Sequence, residues 1–118
     1  MTAAKKKVLV VDDEEAICET LRDVLEDEGY DVGVAHNGLD ALELLRRGVA
    51  KPCLVILDLI MPVLDGNAVY REMRADPALA GVPVVVSTSD PSRAPSGVFI
   101  LRKPAALELI LDTVRKCC

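Results

Sequence analysis

Cys53-Leu54-Val55-Ile56-Leu57 is a continuous apolar run, and it ends abruptly at Asp58. A run this short, rich in β-branched and aliphatic residues, reads as a strand buried on both faces, which is the habit of parallel sheets with helices on either side. A carboxylate at the end of such a strand is costly unless something compensates it. Working outward, the same pattern recurs. Lys7-Val8-Leu9-Val10-Val11 is nearly all apolar and stops at Asp12-Asp13, and Pro83 to Ser87 is a further buried run that stops at Thr88.

Between these runs the period changes from strand to helix. Ile17, Leu21, Val24, Leu25 and Glu28 follow helical spacing from Glu14 to Glu28, with acidic residues at the start, where the helix dipole favours them, and Gly29 at the end. Tyr30 to Ala35 alternates like a strand, and Asn37-Gly38 is a turn signal. Leu39 to Arg47 carries Ala41, Leu42, Leu44 and Leu45 on one stripe and closes with basic residues and Gly48. A third helix is predicted from about Asn67 to Ala75, a strand near Val98 to Leu101, and a last helix from about Ala105 to Lys116. Strands alternating with helices imply βαβ units: an α/β fold, doubly wound, with a parallel sheet and helices on both faces. In such folds the working groups sit at the C-terminal ends of the strands. Asp12, Asp13, Asp58, Thr88 and Lys103 all fall at predicted strand ends.

Composition narrows the function. At 118 residues the chain fits one domain, 1–118. With 51% hydrophobic residues but only 3% aromatic, its core must be built from Val, Leu, Ile and Ala. A net charge of -5 argues against nucleic acid and anionic membrane as direct partners. The basic start, Met1 to Lys7, leads into only a short apolar run, too short for a signal-peptide core, so the expected location is cytoplasmic. Cys18 and Cys53 lie in apolar patterns and read as small core hydrophobes, and Cys117-Cys118 as an incidental terminal pair able to crosslink molecules in air. With no C-x-x-C pair, zinc is not expected. His36 reads as a surface residue, and Met61 and Met73 as core filler.

Three carboxylates at neighbouring strand ends repel one another unless a cation lies between them. A hard divalent ion with oxygen ligands, Mg²⁺, suits such a site. A carboxylate is also a competent nucleophile toward phosphorus. The charge that a phosphoryl group brings would be met by Mg²⁺, by Lys103 and by a hydrogen bond from Thr88. Lys103 would also hold Asp58 in place beforehand. Taken singly, each residue has a plainer reading: Asp12-Asp13 as helix cap, Thr88 as strand end, Lys103 as a solvated loop lysine. Their joint placement favours the chemical one.

Four segments carry a family resemblance. Val8-Leu9-Val10-Val11-Asp12-Asp13-Glu14 resembles the opening of response-regulator receiver domains of two-component systems. The stretch from Leu54 to Gly66, with Asp58-Leu59-Ile60-Met61-Pro62 at its centre, is similar to that family's phosphorylation segment. Pro83-Val84-Val85-Val86-Ser87-Thr88 resembles its fourth strand, and Lys103-Pro104 its Lys-Pro step. The resemblance implies a five-stranded sheet of order 2-1-3-4-5. It implies that Asp58 is the phosphoacceptor, charged by a sensor histidine kinase or a histidine phosphotransfer protein. It further implies Mg²⁺ bound directly by Asp13, Asp58 and the Ile60 backbone carbonyl, with Asp12 acting through water. Lys103 would pair with a phosphoryl oxygen, Thr88 would move toward the phosphoryl group, and the Lys103-Pro104 peptide would be cis. Such a protein is a signalling phosphoacceptor and not an enzyme in the ordinary sense. As the chain carries no output domain, a stand-alone adaptor acting on an unidentified downstream protein is the expectation.

The chain also departs from that pattern. Fifteen residue steps separate Thr88 from Lys103, and the residues between include Pro91 and Pro95. A strand of about five residues must fit there, and Pro95 would clash with a helical turn before it. The fourth helix is therefore predicted to be lost or reduced to one turn. Ile100 stands where the family has its switch aromatic, three residues before the lysine. Phe99 should face the other side of the strand, and Ala105 replaces the aromatic after Lys-Pro. Other readings compete with the phosphoacceptor. A haloacid-dehalogenase-type phosphohydrolase needs an acid two residues after its nucleophile, where this chain has Ile60. A degenerate receiver, binding its partner without phosphorylation, usually lacks the acids or the lysine; all are present here, but the missing helix leaves that reading open. The receiver could also be a piece of a larger regulator or hybrid kinase.

Overall fold

Each apolar run forms a strand in a computed structural model of the chain, which describes residues 5–48 and 51–118. The elements in order are β1 (Lys7–Val11), α1 (Glu15–Asp27), β2 (Asp31–Ala35), α2 (Gly38–Arg47), β3 (Leu54–Asp58), α3 (Gly66–Ala75), β4 (Val84–Thr88), a single 3₁₀ turn (Pro91–Arg93), β5 (Phe99–Arg102) and α4 (Leu107–Cys117). The five strands are parallel and pair in the order β2-β1-β3-β4-β5. Every residue of β3, the central strand, is buried, which explains its unbroken apolar sequence.

The sheet divides the core in two. On one face Leu9, Val11, Val55 and Leu57 pack against Ala41, Leu42 and Leu45 of α2 and Val69 and Met73 of α3. On the other, Val8, Val10, Leu54, Ile56, Val85 and Leu101 meet Cys18, Leu21 and Leu25 of α1 and Ile110 and Val114 of α4. Met61 and Met73 are core residues, as expected.

Helix ends follow local chemistry. Gly29, at φ 96°, ends α1: its N–H donates to Glu26 O at 3.0 Å while Tyr30 N–H donates to Leu25 O at 3.1 Å. This double bond pattern requires a left-handed residue, and glycine adopts that at least cost. Asn37-Gly38 is a helix start instead of a free turn, with Asn37 Oδ1 accepting from Asp40 N–H at 2.8 Å. Gly48 caps α2 in an extended conformation, not a left-handed one.

The helix expected between β4 and β5 is reduced to the single turn Pro91–Arg93, as the prolines demand. The register pairs Val85 with Phe99 and Val86 with Ile100, so these two residues of β5 face opposite sides. Phe99 is 57% exposed, while Ile100 is half-buried. One expectation is corrected. Cys53 and Cys118 are neither a bare core hydrophobe nor half of an incidental pair, because they join each other as a disulfide with Cα atoms 5.3 Å apart. Cys117 is free and exposed. Among the described residues, no helix is long and apolar enough to cross a membrane.

Candidate functional site

Strand order does the gathering. The chain goes from β1 to β2 on one side and then crosses to β3 on the other, so the ends of β1 and β3 lie side by side, with Val11 opposite Leu57. Asp12 and Asp58 follow directly from those paired ends. β4 and β5 continue outward with Thr88 opposite Arg102, so Lys103 follows one residue later.

One carboxylate oxygen from each of Asp12, Asp13 and Asp58 lies within 4.8 Å of the others. Asp12 is 3% exposed and Asp58 7%, whereas Asp13 is open to solvent. Lys103 enters this cluster as its cation, but its first partner is Asp12. Nζ is 2.6 Å from Asp12 Oδ2 and 3.6 Å from Asp58 Oδ1. Lys103 was expected to hold Asp58; in the fold it is anchored on the neighbouring acid and faces the acceptor at longer range.

The charge balance is unequal, three carboxylates to one ammonium. Burial pushes the Asp58 carboxyl up to about 6, and the Asp12 charge pushes the same way; Lys103 and the Ile60 backbone pull it back without cancelling the rise. Lys103 feels burial in the opposite sense, yet its hydrogen bond to Asp12 and the charges of Asp12 and Asp58 hold its pKa above the ordinary lysine range. A cluster of oxygen ligands short of positive charge suits a hard divalent cation, and Asp12, Asp13 and Asp58 could hold one.

The rest of the site is backbone engineering. Asp12 is held by its N–H to Ala35 O at 3.0 Å, and its Oδ1 accepts from Glu14 N–H at 2.9 Å. Its carbonyl has two further neighbours, Cys18 Sγ at 3.3 Å and His36 Nδ1 at 3.2 Å. Burial, with help from Asp12, pushes the Cys18 thiol up to about 11, so it stays protonated and serves as a donor. His36 is exposed as expected, but it is also tied to Asp12.

After Asp58 the chain turns through Val63 at φ 70°, where Leu64 N–H donates to Pro62 O at 2.8 Å. Two glycines fasten this loop. Gly66 N–H donates to Leu59 O at 2.9 Å, and Gly38 N–H to Leu64 O at 3.0 Å. A Cβ at Gly66 would lie 2.2 Å from Asp58 O, and one at Gly38 would lie 2.3 Å from Leu64 O. Sequence reading missed this tight approach; the only signal was glycine at the first position of two helices.

Thr88 is buried, and its hydroxyl accepts from Asp90 N–H at 3.1 Å. Its carbonyl accepts from Lys103 N–H at 2.8 Å, and the Lys103-Pro104 peptide is cis. Asn67 Nδ2 donates to Arg93 O at 3.0 Å, and Arg93 pairs with Asp90 at 3.2 Å. The short turn is therefore pinned at one end to Thr88 and at the other to α3. Beside Asp58 and Lys103 opens a groove of about 770 Å³, whose apolar lining includes Ile17, Leu21, Ala105 and Ile110.

Comparison with known proteins agrees with this fold. The family model described as response regulator receiver domain matches residues 8–114. The DNA-binding response regulator MtrA of Mycobacterium tuberculosis is 40% identical over 89 residues, covering 75% of this chain and 37% of that protein. Response regulator MprA of Mycobacterium ulcerans is 36% identical over 114 residues, covering 92% of this chain and 48% of that protein. The chain thus spans less than half the length of these relatives. Among solved structures, the chemotaxis response regulator CheY4 of Vibrio cholerae superposes with TM-score 0.82 at 27% identity, covering 98% of this chain and 100% of that one. The receiver domain of a signal transduction histidine kinase from Syntrophus aciditrophicus gives 0.83 at 28%, covering 95% and 89%.

Proposed function

Because this chain belongs to the family of response regulator receiver domains, we propose that it takes a phosphoryl group on Asp58 from the phosphohistidine of a sensor kinase or phosphotransfer protein. The observation that carries the reading is the placement of Asp58: 7% exposed, at the end of a wholly buried strand, among two further acids and a lysine. An Asp58 carboxylate oxygen attacks phosphorus, a P–O bond forms, and the P–N bond to the donor imidazole breaks with its electron pair leaving on nitrogen. Lys103 meets the incoming phosphoryl oxygens without leaving Asp12, and Thr88 donates its hydroxyl hydrogen to one of them. Asp12, Asp13 and Asp58, with the Ile60 carbonyl, are the groups that would hold Mg²⁺, which when bound supplies charge neutralisation for the phosphoryl oxygens.

The direct partners on this reading are proteins. The curated relatives MtrA are described as DNA-binding, but a net charge of -5 suits this receiver to protein contacts, as an adaptor.

Intact-protein mass spectrometry after incubation with acetyl phosphate tests the reading. The expected result is a gain of one phosphoryl group with Mg²⁺, none with EDTA, and none in Asp58→Ala under either condition. Failure with acetyl phosphate and again with a phosphorylated histidine kinase would replace this reading with a phosphorylation-independent binding module.

The readout should also be unusual. As Thr88 turns toward the phosphoryl group it gives up its bond to Asp90, and the Pro91–Arg93 turn and Asn67 should move with it. Amide NMR shifts on phosphorylation are expected to be largest at residues 89–94 and at Asn67, while the Phe99 ring stays where it is. Shifts centred on Phe99 and Ile100 would sink this route.

A further inference from the structure

The phosphoacceptor reading makes no use of Cys53 and Cys118, which are joined across 65 positions of sequence. Cys53 directly precedes β3, the strand that delivers Asp58, and its N–H donates to Lys7 O at 2.8 Å. Cys118 directly follows α4, the helix that starts soon after Lys103 and packs Ile110 and Val114 against the sheet. One covalent bond therefore ties the start of the Asp58 strand to the far end of the helix behind Lys103. A Cα separation of 5.3 Å is one that a disulfide accepts without backbone movement.

Two further observations make this bond exchangeable. Both cysteines are half-buried and not sealed in the core, so a small thiol can reach them. A cation also stands beside the pair: Lys6 Nζ donates to the Cys118 carbonyl. Positive charge favours the thiolate, the form that attacks a disulfide. Cys18, by contrast, is buried, with its thiol held protonated.

We propose that Cys53–Cys118 is a reversible redox latch, closed and opened by low-molecular-weight disulfides and thiols of the glutathione class, which fixes α4 against the sheet when closed. In closing, one cysteine thiolate attacks the small disulfide, forming a mixed disulfide and expelling one small thiolate. The second cysteine thiolate then attacks the protein sulfur of that bond and expels the other. Two protein thiols are oxidised, one small disulfide is reduced to two thiols, and the two protons pass to the departing thiolates. The latch is independent of phosphorylation, since neither cysteine touches the acidic cluster.

The test equilibrates the full chain in glutathione buffers of graded redox poise, alkylates free thiols, counts them by mass spectrometry and records thermal unfolding of each sample. Two thiols, Cys53 and Cys118 by peptide mapping, should disappear together as the buffer becomes oxidising, without formation of dimers. Closing a loop of this length should raise the midpoint by roughly 10 °C or more. Cys118→Ser and Cys53→Ser should both unfold like the reduced chain and ignore the buffer, whereas Cys117→Ser should respond like the parent. The proposal is overturned if both cysteines remain alkylatable in the most oxidising buffer, if Cys117→Ser abolishes the response, or if the midpoint does not change with the bond.

Discussion

Gly66→Ala is expected to cost the fold about 3 kcal/mol or more and to remove most phosphoryl uptake by whatever folded protein survives. The reason is steric, and it acts on the acceptor itself. An added methyl would sit 2.2 Å from the carbonyl oxygen of Asp58 and 2.7 Å from Leu59 Cα. Both are backbone atoms, so no side-chain rotation relieves the clash. Either α3 moves away, breaking the 2.9 Å bond from Gly66 N–H to Leu59 O, or the peptide after Asp58 shifts and carries the carboxylate with it. Gly81→Ala is the control, because nothing lies within 4 Å of its added methyl; it should fall within about 0.5 kcal/mol of the parent. Urea unfolding of the two variants decides the matter, and equal midpoints would mean that the tight approach carries no weight.

The second large effect is electrostatic. In the metal-free protein the Asp58 carboxyl titrates near 6, raised first by burial and then by Asp12, while in the unfolded chain it returns to about 3.8. The folded state therefore holds a proton that the unfolded state has released between those values. The stability that this proton contributes is complete below pH about 4 and is lost as pH rises through about 6. The loss should be on the order of 2–3 kcal/mol, since each pKa unit is worth about 1.4 kcal/mol. Asp58→Asn keeps the shape without the charge, so at pH 7 in EDTA it should be more stable than the parent by a similar amount and flat across that window. Saturating Mg²⁺ should narrow the gap by stabilising the parent more than the variant. Thermal unfolding from pH 4 to 8, with and without Mg²⁺, measures all of this; a variant no more stable than the parent at pH 7 in EDTA would show that Lys103 already neutralises the cluster.

Much of this protein is legible in its sequence, and the reason is burial. A strand covered on both faces must be apolar throughout, so β1, β3 and β4 stand out as runs, and a polar residue that ends such a run marks a strand end. Asp12, Asp58 and Thr88 announce themselves in that way. Pro91 and Pro95 likewise exclude a full helix between β4 and β5 by local sterics alone, and the single turn at Pro91–Arg93 is what remains.

Other features depend on distances between elements that no local pattern encodes. Cys53 reads as a core hydrophobe because its neighbours are apolar; only the packing of α4 across the sheet brings it to Cys118. Gly38 and Gly66 look like ordinary turn residues until the loop after Asp58 is seen pressed against them. His36 is exposed, as its sequence suggests, yet the fold sets it on the Asp12 carbonyl. Lys103 could have favoured either acid, and a difference between 2.6 Å and 3.6 Å makes Asp12 its anchor. By itself the sequence determined the order of strands and helices and the residues that crown the strands, because periodicity and burial are local consequences of residue type. Which of those residues touch, which glycines cannot bear a methyl and which cysteines meet were decided by tertiary structure alone, because they depend on ångström-scale separations set by how the layers pack.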